Sequence, residues 1–261
     1  MTVVFVHGAG RGGRGAWPAQ QNLPGDPAAA VWLDWPDAEI TGAASGGDLT
    51  RAQVDALLTC ADEPLDVVAH SHGAVAALLA ARRPDLVRSL VLFEPACFGL
   101  ARGRAAVEEH IEVMDPVLSR ATDPGLDDTG YARLFFTALG APVPPADTPE
   151  QVLALRRLRT VRAPWTVPLE AAVLARTPTL VVTGGWLPLY EQTARALAAA
   201  GARHEVLPGH GHRPQDHPGA GDLVRVFQQT FAPAGQDTPT ASAQAGRPAA
   251  TGEGRNPFTT R

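Results

Sequence analysis

The run Val67-Val68-Ala69-His70-Ser71-His72-Gly73 constrains this chain more than any other. Two β-branched residues and an alanine lead into a serine, and an alanine-rich stretch from Ala74 to Ala81 with Leu78 and Leu79 follows it. A strand that passes into a helix through small-x-Ser-x-Gly turns so tightly that only small side chains fit two residues either side of the serine. The turn lifts the Oγ above the sheet. This is the pattern of a nucleophile elbow, with Ala69 where glycine is usual. An ordinary strand-to-helix turn reads the same way, so the weight falls on the surrounding chain.

Apolar runs alternate with helical patterns, which predicts an α/β fold, a mostly parallel sheet with flanking helices. Strands are expected at Val3–Val6, Val31–Leu33, Leu65–Ala69, Leu90–Phe93, Thr179–Thr183 and His204–Leu207. Helices are expected at Thr50–Cys60, Ala74–Arg82, Glu191–Ala200 and Asp222–Phe231. The alternation stops between about residues 99 and 178, where Val107, Ile111, Met114 and then Val152, Leu155, Leu158 keep a helical period. That stretch reads as a helical cap inserted between two sheet strands, within a domain spanning 1–231. From residue 232 to 261 the chain is rich in Pro, Ala, Gly, Thr, Ser and Gln with a single aromatic, too little apolar surface to fold, and is expected to be disordered.

Composition excludes several classes of function. With 261 residues and 45% hydrophobic content the chain can bury one large core, and its net charge of -5 offers no footprint for nucleic acid. No lysine occurs, which removes Schiff-base chemistry and phosphate loops that need one. Cys60 and Cys97 have neither metal-ligand spacing nor a disulfide framework, which fits a reducing cytoplasm. The chain opens directly on a strand, and no run reaches 18 apolar residues, so neither secretion nor a membrane span is expected.

Two further segments carry chemistry. Val3-Val4-Phe5-Val6-His7-Gly8-Ala9-Gly10 is a buried strand ending in a His-Gly-x-Gly loop. The N–H of Ala9 there, with the N–H of His72, would make an oxyanion hole, a device whose loss typically costs about 10²–10³ in rate. Near the other end, Leu207-Pro208-Gly209-His210-Gly211-His212 sets His212 just past the last strand, as a general base for Ser71. His210 is the alternative if the loop is shifted by two residues.

With these segments the chain resembles the α/β-hydrolase superfamily over about residues 1–231, in motif order: oxyanion loop, elbow, cap, terminal Gly-His loop. The resemblance implies a minimal version without the first two strands of larger members. It also implies Ser71 as nucleophile, His212 as base, and the N–H groups of Ala9 and His72 as the hole. The acid departs from the family. Where an Asp is usual after the strand that follows the cap, this chain reads Thr183-Gly184-Gly185-Trp186-Leu187-Pro188. Glu94, in Leu92-Phe93-Glu94-Pro95, and Glu191 are the candidates. Glu94 is preferred, because its strand should neighbour that of Ser71 at about 4.8 Å and the order Ser…Glu…His fits the fold. A strand-end Glu-Pro with an Asp-free Gly-Gly-x-x-Pro segment also resembles a subset of bacterial α/β-hydrolases. A capping or structural carboxylate is the bland reading of Glu94.

Other residues read blandly. His70 is expected to pack, and His110, His204 and His217 to lie on the surface. Arg156, Arg157, Arg159 and Arg162 read as a solvated helix face rather than a site for an acidic substrate arm. Trp165, Phe135 and Phe136 are candidate pocket walls, each also explicable as cap core.

Three other readings compete with this one. His70-Ser71-His72 begins like a His-x-His-x-Asp-His zinc motif, but Ala74 and Val75 stand where Asp and His are required. Gly8-Ala9-Gly10-Arg11-Gly12-Gly13 is a G-x-G-x-x-G with Asp34 about twenty residues on, yet Pro18 and Pro24 leave no room for the dinucleotide helix. A non-hydrolytic binding protein or a lyase on the same scaffold is the third. The expectation is a cofactor-free, metal-free cytoplasmic serine hydrolase acting on a small-molecule acyl substrate (ester, thioester or lactone), with no nucleic-acid or membrane partner.

Overall fold

The computed structural model describes residues 2–22, 30–35 and 48–231. The tail from 232 onward, expected to be disordered, lies outside the described residues, as does Pro24. Six strands form one sheet: β1 (Val3–Val6), β2 (Ala30–Trp32), β3 (Leu65–His70), β4 (Val87–Phe93), β5 (Thr179–Thr183) and β6 (Arg203–Val206). Their order is β2-β1-β3-β4-β5-β6, and every pairing is parallel. This is the mostly parallel α/β sheet anticipated from the alternating pattern.

Covering both faces of a parallel sheet demands apolar residues on both sides of each central strand. Successive residues do alternate between two cores. Val67, Ala69, Leu90, Leu92 and Val181 pack on one face, with helices α1 (Leu49–Thr59), α2 (Gly73–Ala80) and α7 (Pro188–Ala199). Val68, Val91, Phe93, Leu180 and Val182 pack on the other, against Trp17 and helix α8 (Ala220–Gln229).

β4 begins three residues earlier than the apolar run suggested. Arg88 and Ser89 interrupt the hydrophobic signal, but Asp66 on β3 pairs with the Arg88 guanidinium and accepts a 2.6 Å hydrogen bond from Ser89 Oγ. α7 likewise starts early, because Pro188 fits the first turn of a helix, where no N–H is needed.

Between β4 and β5 lie α3 (Ala105–Leu118), α4 (Asp128–Ala138), α5 (Pro149–Arg157) and α6 (Ala172–Arg176), with no strand among the described residues there. Most of this insertion builds a separate apolar cluster around Val107, Met114, Tyr131, Phe135, Leu155 and Trp165. The arginine run of α5 is not a solvated face. Arg159 is buried and donates to Asp128 Oδ1 at 2.8 Å, to the Ala121 carbonyl and to that of Leu126. Arg156 shares the same carboxylate, and Arg157 lies over the Trp35 ring. A buried guanidinium must satisfy its donors, and Arg156 and Arg159, through Asp128, tie α4 to α5 and to the 3-10 turn after it.

Candidate active site

In a parallel sheet the strand ends that carry function lie on one edge, at the point where the strand order reverses. Here β1 lies between β2 and β3, and the loops after β1, β3, β4, β5 and β6 bring together His7–Gly10, Ser71, Glu94, Gly184 and His212.

Ser71 follows the last residue of β3 with φ of 52°, in the left-handed region. A non-glycine residue pays for that conformation, and it persists only where the surroundings enforce it. Its N–H donates to Phe93 O at 2.9 Å and its own carbonyl accepts from Ala96 N–H at 3.0 Å. Gly73 is obligatory: a Cβ there would lie 2.5 Å from His7 O and 2.7 Å from Val6 O. Helix α2 starts at once, and its positive end faces the turn. The β1 loop presses against the serine as well, since a Cβ on Gly8 would sit 3.0 Å from Ser71 Cβ. His7 Nδ1–H donates to Gly8 O at 2.7 Å and Gln53 Nε2 to His7 O at 2.8 Å, which fixes that loop. The N–H groups of Ala9 and His72 donate to no other group among the described residues, and both residues line the same cavity.

His212 Nε2 lies 3.1 Å from Ser71 Oγ. Its Nδ1 is 3.5 Å from Glu94 Oε2, within ion-pair range but without hydrogen-bond geometry to any group. His210, the alternative base, instead packs against His217. Glu94 is fully buried and, like Ser71, left-handed, with φ of 44°. Its strand pairs with β3 through His70↔Phe93, so both residues stand one step past a matched pair of strand ends. The Asp-free segment after β5 holds this carboxylate: Gly184 N–H donates to Oε1 at 2.6 Å and Trp186 Nε1 to Oε2 at 3.1 Å. Gly184 must be glycine, because a Cβ would meet Gly211 O at 2.4 Å. Glu191 is elsewhere, accepting from Gly185 N–H at 3.2 Å and facing His204 at 3.9 Å.

The two histidines flanking Ser71 hold the site rather than titrate in it. His70 Nε2–H donates to the carbonyl of His212 at 2.8 Å, anchoring the loop that carries His212. Burial drives its pKa well below the ordinary histidine value, helped by the charge of His212. His72, buried against Thr50 Oγ1 at 2.9 Å, is lowered to about 4 by desolvation. Tyr190 stacks on His212 with ring centres 4.9 Å apart, and burial, with the Glu94 charge, pushes its phenol pKa up.

The model of the Alpha/beta hydrolase family matches residues 3–221. This chain belongs to the alpha/beta hydrolase family. No curated protein matches its sequence. Among solved structures, MenH from S. aureus is similar with a TM-score of 0.60 at 16% identity, covering 88% of this chain and 94% of that one. A carboxylesterase of the ammonia-oxidizing thaumarchaeon Nitrososphaera gargenis gives 0.59 at 14% identity, over 88% and 90%. NosK from Streptomyces actuosus gives 0.54 at 24%, over 88% and 98%. At such identities the likeness is one of fold.

As in other clefts of this kind, the alpha/beta hydrolase cavity is mostly apolar with a few convergent polar groups. It encloses about 500 Å³ and is lined by Ser71, His212 and Ala9 on the sheet side and by Phe135, Phe136 and Trp165 from the insertion. These three rings therefore line the cavity while also packing in the insertion. None of the four arginines of the α5 run reaches it. His110, expected on the surface, is half-buried and lines it too, because α3 turns that face toward Phe98 and Trp165. His204 is also not a surface residue: it is tucked between Thr183 Oγ1, at 2.8 Å, and Glu191. His217 is half-buried, its Nδ1 accepting from Gly219 N–H at 3.0 Å.

The glycine-rich loop does not open a dinucleotide helix. Among the described residues only short 3-10 turns, Gly13–Ala16 and Gln20–Asn22, follow it before β2, and Gly12 and Gly13 are packed against Asp34 and Trp35. Among the described residues no cluster of His, Cys, Asp or Glu is arranged to hold a metal, and no helix is long and apolar enough to cross a membrane. The sequence pointed to neither Trp186 nor Gly184 as partners of the carboxylate. The Gly-Gly pair was the one available signal, since adjacent glycines mark a backbone that another segment approaches closely.

Proposed function

We propose that this protein is a serine hydrolase of small-molecule esters, thioesters or lactones. The observation that carries the reading is the 3.1 Å approach of His212 Nε2 to the hydroxyl of a serine in a left-handed turn. Ser71 Oγ attacks the substrate carbonyl while His212 Nε2 takes its proton. The imidazolium so formed is stabilised through Nδ1–H by Glu94, whose own position is fixed by Gly184 and Trp186. The carbonyl oxygen becomes an oxyanion held by the N–H groups of Ala9 and His72, near the positive end of α2. The tetrahedral species collapses, and His212 returns the proton to the departing alcohol or thiol. Water, deprotonated by the same imidazole, then releases the acyl group and restores Ser71. Free Cys60 and Cys97 are in keeping with a reducing cytoplasm.

The test is exposure of the folded protein to a fluorophosphonate, followed by intact mass and peptide mapping. A single adduct on Ser71, absent in Ser71→Ala, is the expected result. An unlabelled folded protein would remove the activated nucleophile and leave a binding protein or a lyase.

A further inference from the structure

Most polar side chains around the cavity are already committed within the fold. His70 donates to the His212 carbonyl, and His72 is paired with Thr50. Trp165 Nε1 donates to Asp115 at 3.1 Å, Trp186 to Glu94, and Arg213 to Asp216 and Ala16 O. Tyr190 lies against His212, at the reacting end. His110 differs: neither of its ring nitrogens has a hydrogen-bond partner among the described residues, although its ring is held on two sides.

A row of rings fixes where His110 stands. Tyr190 stacks on His212, Phe98 follows at 6.1 Å from Tyr190, His110 at 4.9 Å from Phe98, and Trp165 at 6.0 Å from His110. His110 is thus three ring contacts from the reacting centre, with Met114, Leu118 and Phe135 also lining the cavity. Its nitrogens are open to the cavity rather than sealed in the core, so they are available to a bound molecule.

We propose that the substrate is a mainly apolar acyl ester with a hydroxyl or keto oxygen along its chain, and that His110 hydrogen-bonds that oxygen. The inference rests on the reading of Ser71 and His212 as the reacting pair and adds the class of acyl group they meet. Desolvation lowers the His110 pKa to about 4, so at neutral pH it offers one N–H donor and one acceptor nitrogen and no charge. That matches a hydroxyl or ketone at this end of the cavity, whose cationic side chains, Arg11 and Arg213, are separate groups. A site built to hydrogen-bond a substrate oxygen discriminates against the analogue lacking it far more strongly than a greasy pocket discriminates between chain lengths.

The experiment uses the full chain carrying Ser71→Ala, so that intact esters bind without turnover. Dissociation constants are measured by calorimetry for ethyl octanoate and for its hydroxy and oxo analogues at each chain position. At least one oxygenated ester should bind roughly tenfold or more tightly than ethyl octanoate, equivalent to about 1.4 kcal/mol. The preference should disappear on adding His110→Phe and survive in part with His110→Gln, while affinity for ethyl octanoate itself is kept or improved. Equal binding across the series with His110 intact, or a preference that outlasts its replacement, overturns the proposal. The first of those outcomes does not depend on how the variants fold. Failure of the wild-type protein to turn over any ester would instead count against the hydrolase reading, which binding to Ser71→Ala does not address.

Discussion

Two turns on the same sheet edge, Ser71 after β3 and Glu94 after β4, share a backbone solution and differ in what holds them. Both residues are left-handed, at φ of 52° and 44°. At Ser71 the backbone makes the turn: glycine at 73, close contact with the β1 loop and a helix that begins at once enforce it. The serine side chain itself is left nearly free, with His212 as its partner. At Glu94 the side chain is bound, with both oxygens accepting from the segment after β5. On the proposed mechanism the first turn presents the group that reacts. The second fixes the carboxylate that would steady the base.

The largest effect that would separate the two turns concerns the carboxylate. Glu94→Gln should lower kcat on a model ester by about 10⁴-fold, the order seen when the acid of such a relay loses its charge. Glu191→Gln should stay within about twofold of wild type, since Glu191 serves His204 and Gly185. Steady-state kinetics of both variants decides it, and the reverse ranking would move the role to Glu191.

Acid should distinguish the turns next. Histidines flank Ser71 on both sides, whereas Phe93 and Pro95 flank Glu94. With folded pKa values depressed at His70 and at His72, the unfolded chain binds more protons than the folded one below about pH 6.5. Stability is therefore full above that pH and declines as pH falls toward about 4, where His72 also protonates when folded. His72 should contribute on the order of 3 kcal/mol to that loss. Melting temperature measured from pH 7.5 to 4 should fall, and His72→Asn should flatten the slope; a pH-independent melt in the parent protein would contradict the burial argument.

The smallest effect is the most specific. Ser71→Gly relieves a left-handed non-glycine residue and deletes one hydrogen bond, so it should melt at or slightly above wild type, by about 1 kcal/mol at most. Glu94→Gly gives the same backbone relief but strands the Gly184 and Trp186 donors, and should melt lower by about 1–3 kcal/mol. If both variants shift in the same direction, the contrast between a backbone-held and a side-chain-held turn is wrong.

The sequence alone determined the sheet, because its signal is local. β-branched runs at Val3–Val6, Val67–Val68 and Thr179–Thr183 alternate with helical periods, and small residues around Ser71 admit only a tight turn. Glu94 could be named from strand adjacency, since neighbouring parallel strands end side by side. What holds its carboxylate was invisible: Gly184 and Trp186 lie about ninety residues away, and no periodicity links positions so distant. The same limit explains His110 and the α5 arginines. On a helix of mixed pattern, which face meets the cavity or the core depends on how α3, α4 and α5 pack together. Local chain chemistry wrote the strands and the serine turn. The partners of each buried polar group were decided only when the chain folded, because a hydrogen bond or ion pair is satisfied by whatever the tertiary structure brings within reach.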